Sequence, residues 1–213
     1  MDYLRLTEVF YSLQGESNTV GLPTVFIRLT GCPLRCVYCD TSYAFTGGEK
    51  IPLDEVIANV EKYGAKYITV TGGEPLSQPA VHPLMTQLAD KGYLVSLETS
   101  GALDVSKVDS RIIKVMDLKT PSSGELSRNH YQNIDYLTAE DQLKFVIGND
   151  DDYDWSKKIL VQYDLTNRCQ VLFSPVVGQM SPERLADKIL QDRLLVRFQI
   201  QLHKYLWADA QGK

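Results

Sequence analysis

Long hydrophobic runs are missing from this chain. Its apolar stretches, such as Thr24-Val-Phe-Ile and Arg193-Leu-Leu-Val, stop far short of the ~20 residues a membrane-spanning helix needs, so no transmembrane segment is expected. The N-terminus, Met1-Asp-Tyr-Leu-Arg-Leu-Thr-Glu8, has no basic stretch followed by an apolar one, and a cytoplasmic location is expected. An excess of positive charge is also lacking. The 22 Lys and Arg stand against 27 Asp and Glu, giving a net charge of −5, so no broad surface for phosphate backbones is available and direct nucleic-acid binding is disfavoured. Cysteine is scarce: four in 213 residues are too few for a disulfide scaffold. Three of them, Cys32, Cys36 and Cys39, cluster in one short stretch, which in a reducing compartment points to metal ligation. With 44% hydrophobic and 23% charged residues, the chain reads as one globular domain able to bury a real core.

Runs rich in β-branched and aromatic residues predict strands at Val25 to Leu29, Tyr67 to Val70, Leu94 to Leu97, Ile112 to Met116, Leu143 to Ile147, Val171 to Phe173 and Val196 to Ile200. Helical spacing lies between them at Leu53, Val56, Ile57 and Val60, at Leu84 and Leu88, and at Leu185 and Ile189 after the cap-like Ser181-Pro182-Glu183. The strand runs read as continuously apolar, as for parallel strands covered on both faces. The expected fold is α/β: an open, partial β/α barrel of about six to seven mainly parallel strands, with ligands at the strand C-terminal ends. Leu4 to Tyr11 predicts an extra N-terminal strand. The single domain then divides into an extension (1–21), the partial barrel (22–201) and a C-terminal tail (202–213). The segment from Thr120 to Glu140 reads as a long polar loop, functional or mobile, in the manner of a lid. The acidic Asp150 run reads as a solvated helix start.

Cys32, Cys36 and Cys39 form C-x3-C-x2-C in Gly31-Cys-Pro-Leu-Arg-Cys-Val-Tyr-Cys-Asp40, directly after the first predicted barrel strand. A [4Fe-4S] cluster normally takes four cysteines, so three from one loop hold three corners and leave one iron open for a small molecule. Two other readings stand beside this one. Cysteines at i, i+4 and i+7 can line the core face of a helix, although Gly31 and Pro33 argue for a loop. A structural zinc site completed by His203 or Cys169 is the second.

The cysteine spacing, its position after the first strand and the later Thr71-Gly72-Gly73-Glu74-Pro75 resemble the radical S-adenosylmethionine (SAM) superfamily, in which SAM chelates the open iron. Ser12-Leu13-Gln14-Gly15-Glu16, Arg28, Cys39-Asp40-Thr41 and Gln201-Leu-His203-Lys-Tyr-Leu-Trp207 are further similar to the 7-carboxy-7-deazaguanine synthase family. That family converts 6-carboxy-5,6,7,8-tetrahydropterin to 7-carboxy-7-deazaguanine with loss of ammonia, on the route to deazapurine nucleosides of tRNA such as queuosine. The resemblance implies a lyase using a [4Fe-4S] cluster, SAM and Mg2+. It also implies reductive cleavage of SAM to a 5′-deoxyadenosyl radical that abstracts a substrate hydrogen and is restored at the end, an external reductant such as flavodoxin, and a homodimer.

Residue by residue, the resemblance implies cluster ligation by Cys32, Cys36 and Cys39, and SAM contact by Tyr38, Cys39, Asp40, Gly72, Gly73, Glu74 and Ser100. It extends SAM contact to Asp117, Leu118 and Lys119, to Gln142 and Lys144, and to Ser174; some relatives carry Ser-Pro-Lys where this chain has Asp117-Leu118-Lys119. Substrate contact falls to Leu13, Gln14, Gly15, Glu16, Arg28, Thr71 and His203, with Thr41 as a Mg2+ ligand. The chemistry suits a pterin: a polar loop reads its amide and amino edge, and an arginine fork takes its carboxylate. A neutral hydroxyl suits the shell of a hard cation. No acid or base is assigned, since the cofactor radical does the chemistry. His82, His130 and Cys169 receive no role. Two other functions are compatible with the cysteine motif: a radical SAM activase acting on a partner protein, and a non-enzymatic zinc or iron-sulfur module.

Overall fold

The computed structural model describes residues 2–208 and 210–213. Its centre is one open nine-stranded sheet in the order β3-β1-β2-β4-β5-β6-β7-β8-β9. Strand β1 (Tyr3–Leu13) runs antiparallel to both β2 (Pro23–Leu29) and the edge strand β3 (Glu49–Pro52). From β2 onward every pair is parallel, through β4 (Tyr67–Gly72), β5 (Leu94–Thr99), β6 (Ile113–Leu118), β7 (Gln142–Ile147), β8 (Gln170–Pro175) and the short β9 (Arg197–Phe198). Seven parallel strands with an antiparallel extension match the expected class. No helix among the described residues is long and apolar enough to cross a membrane.

Helices α1 (Leu53–Glu61), α2 (Val81–Asp90), α3 (Asp150–Gln162), the short α4 (Leu165–Arg168) and α5 (Pro182–Gln191) connect the strands. Each of the four longer helices, α1, α2, α3 and α5, presents an apolar stripe to one face of the sheet. Val56, Ile57 and Val60 of α1 and Leu84, Met85 and Leu88 of α2 join Val25, Ile27, Leu29, Val70 and Leu97 in one core. Ile159 of α3 and Leu185 and Ile189 of α5 join Met116, Leu118, Leu143, Phe145 and Phe173 in a second. The Asp150 run starts α3, where Asn149 caps the Asp152 N–H at 2.9 Å.

The strands differ from the expected pattern in one instructive respect. They alternate. The helix-facing residues are apolar, whereas Arg28, Thr71, Glu98, Asp117 and Lys144, each one residue away from a core position, line a cleft on the opposite face. A sheet covered by helices on both faces would not tolerate those groups; a sheet bent around a polar cleft requires them.

Three shorter departures concern the ends and the long loop. The edge strand β3 has no apolar run to announce it, and the last predicted strand shrinks to two residues, followed by α6 (Leu202–Trp207). The 120 to 140 segment is a packed series of 3-10 turns rather than an open loop. Asn133 is fully buried and bonds Val105 N, Gly101 O and Leu103 O, and Ser122 binds Asp152 of α3. Ser123 O accepts Val37 N–H at 3.0 Å and the Glu125 carboxylate accepts Arg35 N–H, so this segment braces the cysteine loop.

Candidate functional site

The cleft has a volume of about 400 Å3, within the range of small-molecule sites, and lies over the C-terminal ends of the parallel strands. The cysteine loop leaves β2 at Gly31, whose φ of +100° suits glycine, and is held by hydrogen bonds from Gly31 N to Ala44 O and from Glu74 N to Gly31 O. Gly72 and Gly73 end β4 directly beneath it. A side chain on Gly72 would strike the Leu29 backbone, and one on Gly73 the Gly31 carbonyl, so only glycines allow this approach.

All three cysteines of the loop are free and half-buried. Burial pushes each thiol up from its ordinary pKa, with neighbouring thiols adding to the shift of Cys32 and Cys36 and Asp40 to that of Cys39; the buried Lys119 opposes it in all three. Cluster binding therefore has to displace their protons. Among the described residues no three His, Cys, Asp or Glu side chains close on a single-ion site. Three soft sulfur donors from one braced loop fit the corners of a polynuclear cluster, with the fourth corner left to a small molecule. The Cys3His alternative is not assembled. Cys169 is buried in the second hydrophobic core, its thiol against Leu165 O, and burial pushes it up to about 12. His203 packs instead on Gly15, where any Cβ would fall inside its ring.

Four elements meet in a charged network across the cleft floor. Lys144 of β7 pairs with Glu16 and lies 3.3 Å from Asp117 of β6, which also holds Lys119 at 2.7 Å. Burial alone would raise the Asp117 carboxyl, but the two ammonium groups outweigh it and hold it low; those anions in turn keep Lys144 well above its ordinary value. Glu98 of β5 takes Thr71 Oγ1 at 2.8 Å and Gln14 Nε2 at 3.2 Å. Burial and the Glu16 charge raise its carboxyl, against Lys144, Thr71 and Arg28. Asp40, following the last cysteine, accepts from Thr41 Oγ1 at 2.8 Å and Gln201 Nε2 at 3.0 Å, with Lys204 at 3.4 Å. Desolvation by the cleft walls is outweighed by Lys204 and those bonds, holding it at about 2.

The loop after β1 is clamped by the C-terminal segment. Gln199 is buried and exchanges both amide bonds with the Ser17 backbone, at 2.7 and 2.8 Å; Leu202 N donates to Gly15 O, and Gln201 Nε2 reaches Glu16 at 2.7 Å. Burial lowers the pKa of His203, so it stands in the cleft as a neutral ring near pH 7.

Leu13, Gln14, Gly15, Glu16, Arg28, Cys36, Tyr38, Cys39, Asp40, Thr41, Thr71, Gly72, Gly73, Ser100, Asp117, Lys119, Lys144 and His203 all line this one cleft. Five residues expected at it do not. Cys32 stays half-exposed at the start of the loop, where its Sγ accepts Leu34 N–H at 3.5 Å. Glu74 is fully buried, its carboxylate accepting from Leu76 N, Thr99 and Ser100, so it fastens β4 to the end of β5. Leu118 alternates away from Asp117 into the second core. Gln142 lies at the N-terminal end of β7, where its Oε1 accepts Asn18 N–H at 2.8 Å. Ser174 is buried on β8, and Val176 and Val177 just beyond it line the cleft instead. Conversely, Phe10, Phe26, Tyr43, Glu98, Gln201 and Lys204 line it although the sequence reading gives none of them a role. For Glu98 the signal was present: a lone acid between Leu97 and Thr99 in an apolar strand.

Comparison with known proteins agrees with this geometry. Residues 26–119 match the family model described as the radical SAM superfamily. The 7-carboxy-7-deazaguanine synthase of Chlorobaculum tepidum is 42% identical, covering 98% of this chain and 97% of its own. That of Koribacter versatilis is 39% identical over 96% and 97%. Among solved structures, QueE from Escherichia coli superposes with a TM-score of 0.73 at 22% identity, covering 94% of this chain and 95% of that one.

Proposed function

Since the chain belongs to the 7-carboxy-7-deazaguanine synthase family of radical SAM enzymes, we propose that its cleft converts 6-carboxy-5,6,7,8-tetrahydropterin to 7-carboxy-7-deazaguanine with loss of ammonia, a step in queuosine precursor biosynthesis. The observation that carries this reading is the arrangement of one cavity. A three-cysteine loop and a double-glycine turn form one wall, and Arg28, Gln14, Glu16 and His203 stand around the same space. When bound, the cluster with SAM supplies the radical that takes a hydrogen from the substrate; the protein contributes orientation and exclusion of water.

Cys32, Cys36 and Cys39 hold the cluster, and Gly72 and Gly73 let backbone approach SAM. Gln14 and Glu16 read the amide and amino edge of the pterin, with Thr71 and the neutral His203 alongside. Arg28 takes the carboxylate. Mg2+ is seated at Thr41, whose hydroxyl and neighbouring Asp40 carboxylate are hard oxygen donors suited to it, the shell being completed by substrate and water. The family resemblance supports a homodimer and a flavodoxin-like reductant. Anaerobic incubation of reconstituted protein with SAM, dithionite, Mg2+ and the pterin, followed by mass analysis, tests the assignment. A deazaguanine product is expected without any protein substrate, and its absence with an intact cluster overturns the reading.

Two substitutions separate the parts. Arg28→Lys keeps the charge and loses the fork, so KM should rise about 10-fold or more with the cluster spectrum unchanged. Thr41→Val preserves shape and removes the oxygen. Product formation should lose its response to added Mg2+ while substrate-free SAM cleavage persists, and Thr41→Ser should retain part of the response. Equal Mg2+ responses in the three proteins, normalised to cluster content, would exclude Thr41 as a ligand.

A further inference from the structure

Arg28 does not stand alone in the cleft wall. Glu8 lies opposite it across the β1–β2 pair, just after a register shift between Leu6 and Glu8. Its Oε1 accepts Arg28 Nε–H at 2.7 Å and Tyr43 O–H at 2.8 Å. The guanidinium carbon sits 5.5 Å from the Phe10 ring centre and 5.8 Å from that of Tyr43, and Phe10 is itself stacked on Phe26 at 4.9 Å. Both charged side chains are largely buried, Arg28 16% and Glu8 22% exposed. The plane of the fork is thus fixed by two aromatic rings and its rotation by one carboxylate. Among the described residues no acceptor engages Nη1 or Nη2.

We infer that Glu8, braced by Tyr43, is the positioning residue for Arg28: it occupies the Nε edge and leaves the paired Nη donors as the only edge on which a planar carboxylate can dock. This rests on the reading of Arg28 as the substrate's carboxylate receptor. A guanidinium offers several donor edges to a carboxylate, and each would place the substrate ring differently. Filling one edge with a protein carboxylate selects a single docking geometry, which matters because a radical acts only on a hydrogen held at the right place. The arrangement has an electrostatic cost, since Glu8 offsets part of the positive charge that attracts the ligand. An isolated arginine would carry more net charge but would turn freely, and the loss of a single docking edge outweighs that gain for a ligand that must be held in one orientation. Tyr43 suits its part as a donor, its phenol O–H reaching the same Glu8 oxygen that Arg28 Nε–H uses.

The test uses the reconstituted holoenzyme with SAM and compares Glu8→Ala, Glu8→Gln and Arg28→Lys with the unmodified protein. The readouts are steady-state KM and kcat, and the calorimetric Kd of the carboxypterin measured anaerobically. Glutamine still accepts from Nε–H and from the phenol, so Glu8→Gln should bind within about threefold of the parent, or tighter. Alanine frees the fork, and Glu8→Ala should weaken binding by about 10-fold or more, with cluster absorbance and substrate-free SAM cleavage unchanged. A purely structural role for the pair would move thermal stability and all activities together and would not be rescued by glutamine. Unchanged binding in Glu8→Ala, or equal losses in the alanine and glutamine variants, overturns the inference provided Arg28→Lys is impaired. Unchanged binding in Arg28→Lys instead removes the receptor reading on which it rests.

Discussion

Cys36→Ala should abolish SAM cleavage and bring the iron content after anaerobic reconstitution well below the about four per chain of an intact cubane. Two thiolates cannot hold the cluster while leaving one corner to SAM. The loop itself should survive the change. Its braces are backbone bonds from Val37 N to Ser123 O and from Cys39 N to Cys36 O, and the Arg35 guanidinium spans the Cys32 and Leu34 carbonyls while stacking 4.2 Å from Phe45. The variant should therefore melt close to the parent apoprotein. Cys169→Ala is the matched control. That thiol is core, so its loss should lower the melting temperature and leave iron content and SAM cleavage intact. A Cys36→Ala protein that keeps its iron and still cleaves SAM would refute ligation by this loop.

Local chemistry decided which parts of this molecule were legible. The cysteine loop and the Gly72-Gly73 turn could be read because glycine and cysteine are required there by backbone approach and by ligation, independent of anything distant. Strand positions were readable for the same reason: an apolar run states its own burial. The alternation within those runs was less visible, because Arg28, Glu98, Asp117 and Lys144 fall on four different strands, each with too few polar residues to set a period by itself. Their meaning appears when parallel pairing sets Arg28 beside Thr71 and Asp117 beside Lys144. The partners of Glu74 are hidden in the sequence for a related reason. Its motif says where the backbone turns, whereas its side chain is claimed by Thr99 and Ser100 on the next strand, 25 and 26 residues on. Gln199 and Glu8 carry no motif at all. Each derives its role from a partner that tertiary folding brings near, as in the 182-residue separation of Gln199 from Ser17.

Lys144→Met should cost about 3–5 kcal/mol of stability, because removing one member of a buried charge group leaves the others uncompensated. For a chain of this size that is a fall in melting temperature on the order of 10 °C. Lys144 is the shared counter-ion of Glu16 and Asp117 and opposes the upward shift of Glu98. Lys119 continues to hold Asp117 at 2.7 Å, so the penalty should fall mainly on Glu16 and Glu98. The sign of the pH dependence separates this from a packing defect. Glu98 already has its folded pKa raised by burial and the Glu16 charge, and loss of Lys144 raises it further. A carboxyl whose folded pKa lies above its unfolded value binds more protons in the folded state, so stability rises as pH falls through that folded value. The Lys144→Met deficit should accordingly shrink between pH 7 and pH 5. The parent should show the opposite tendency at lower pH, where Asp117, held low by its lysines, loses its stabilisation as it protonates. Lys144→Arg, which keeps the charge, should recover most of the stability at pH 7. Chemical denaturation of the three apoproteins across that range measures all of this. A deficit independent of pH would identify Lys144 as a space-filling residue, and the network on the cleft floor would then owe its order to packing rather than charge.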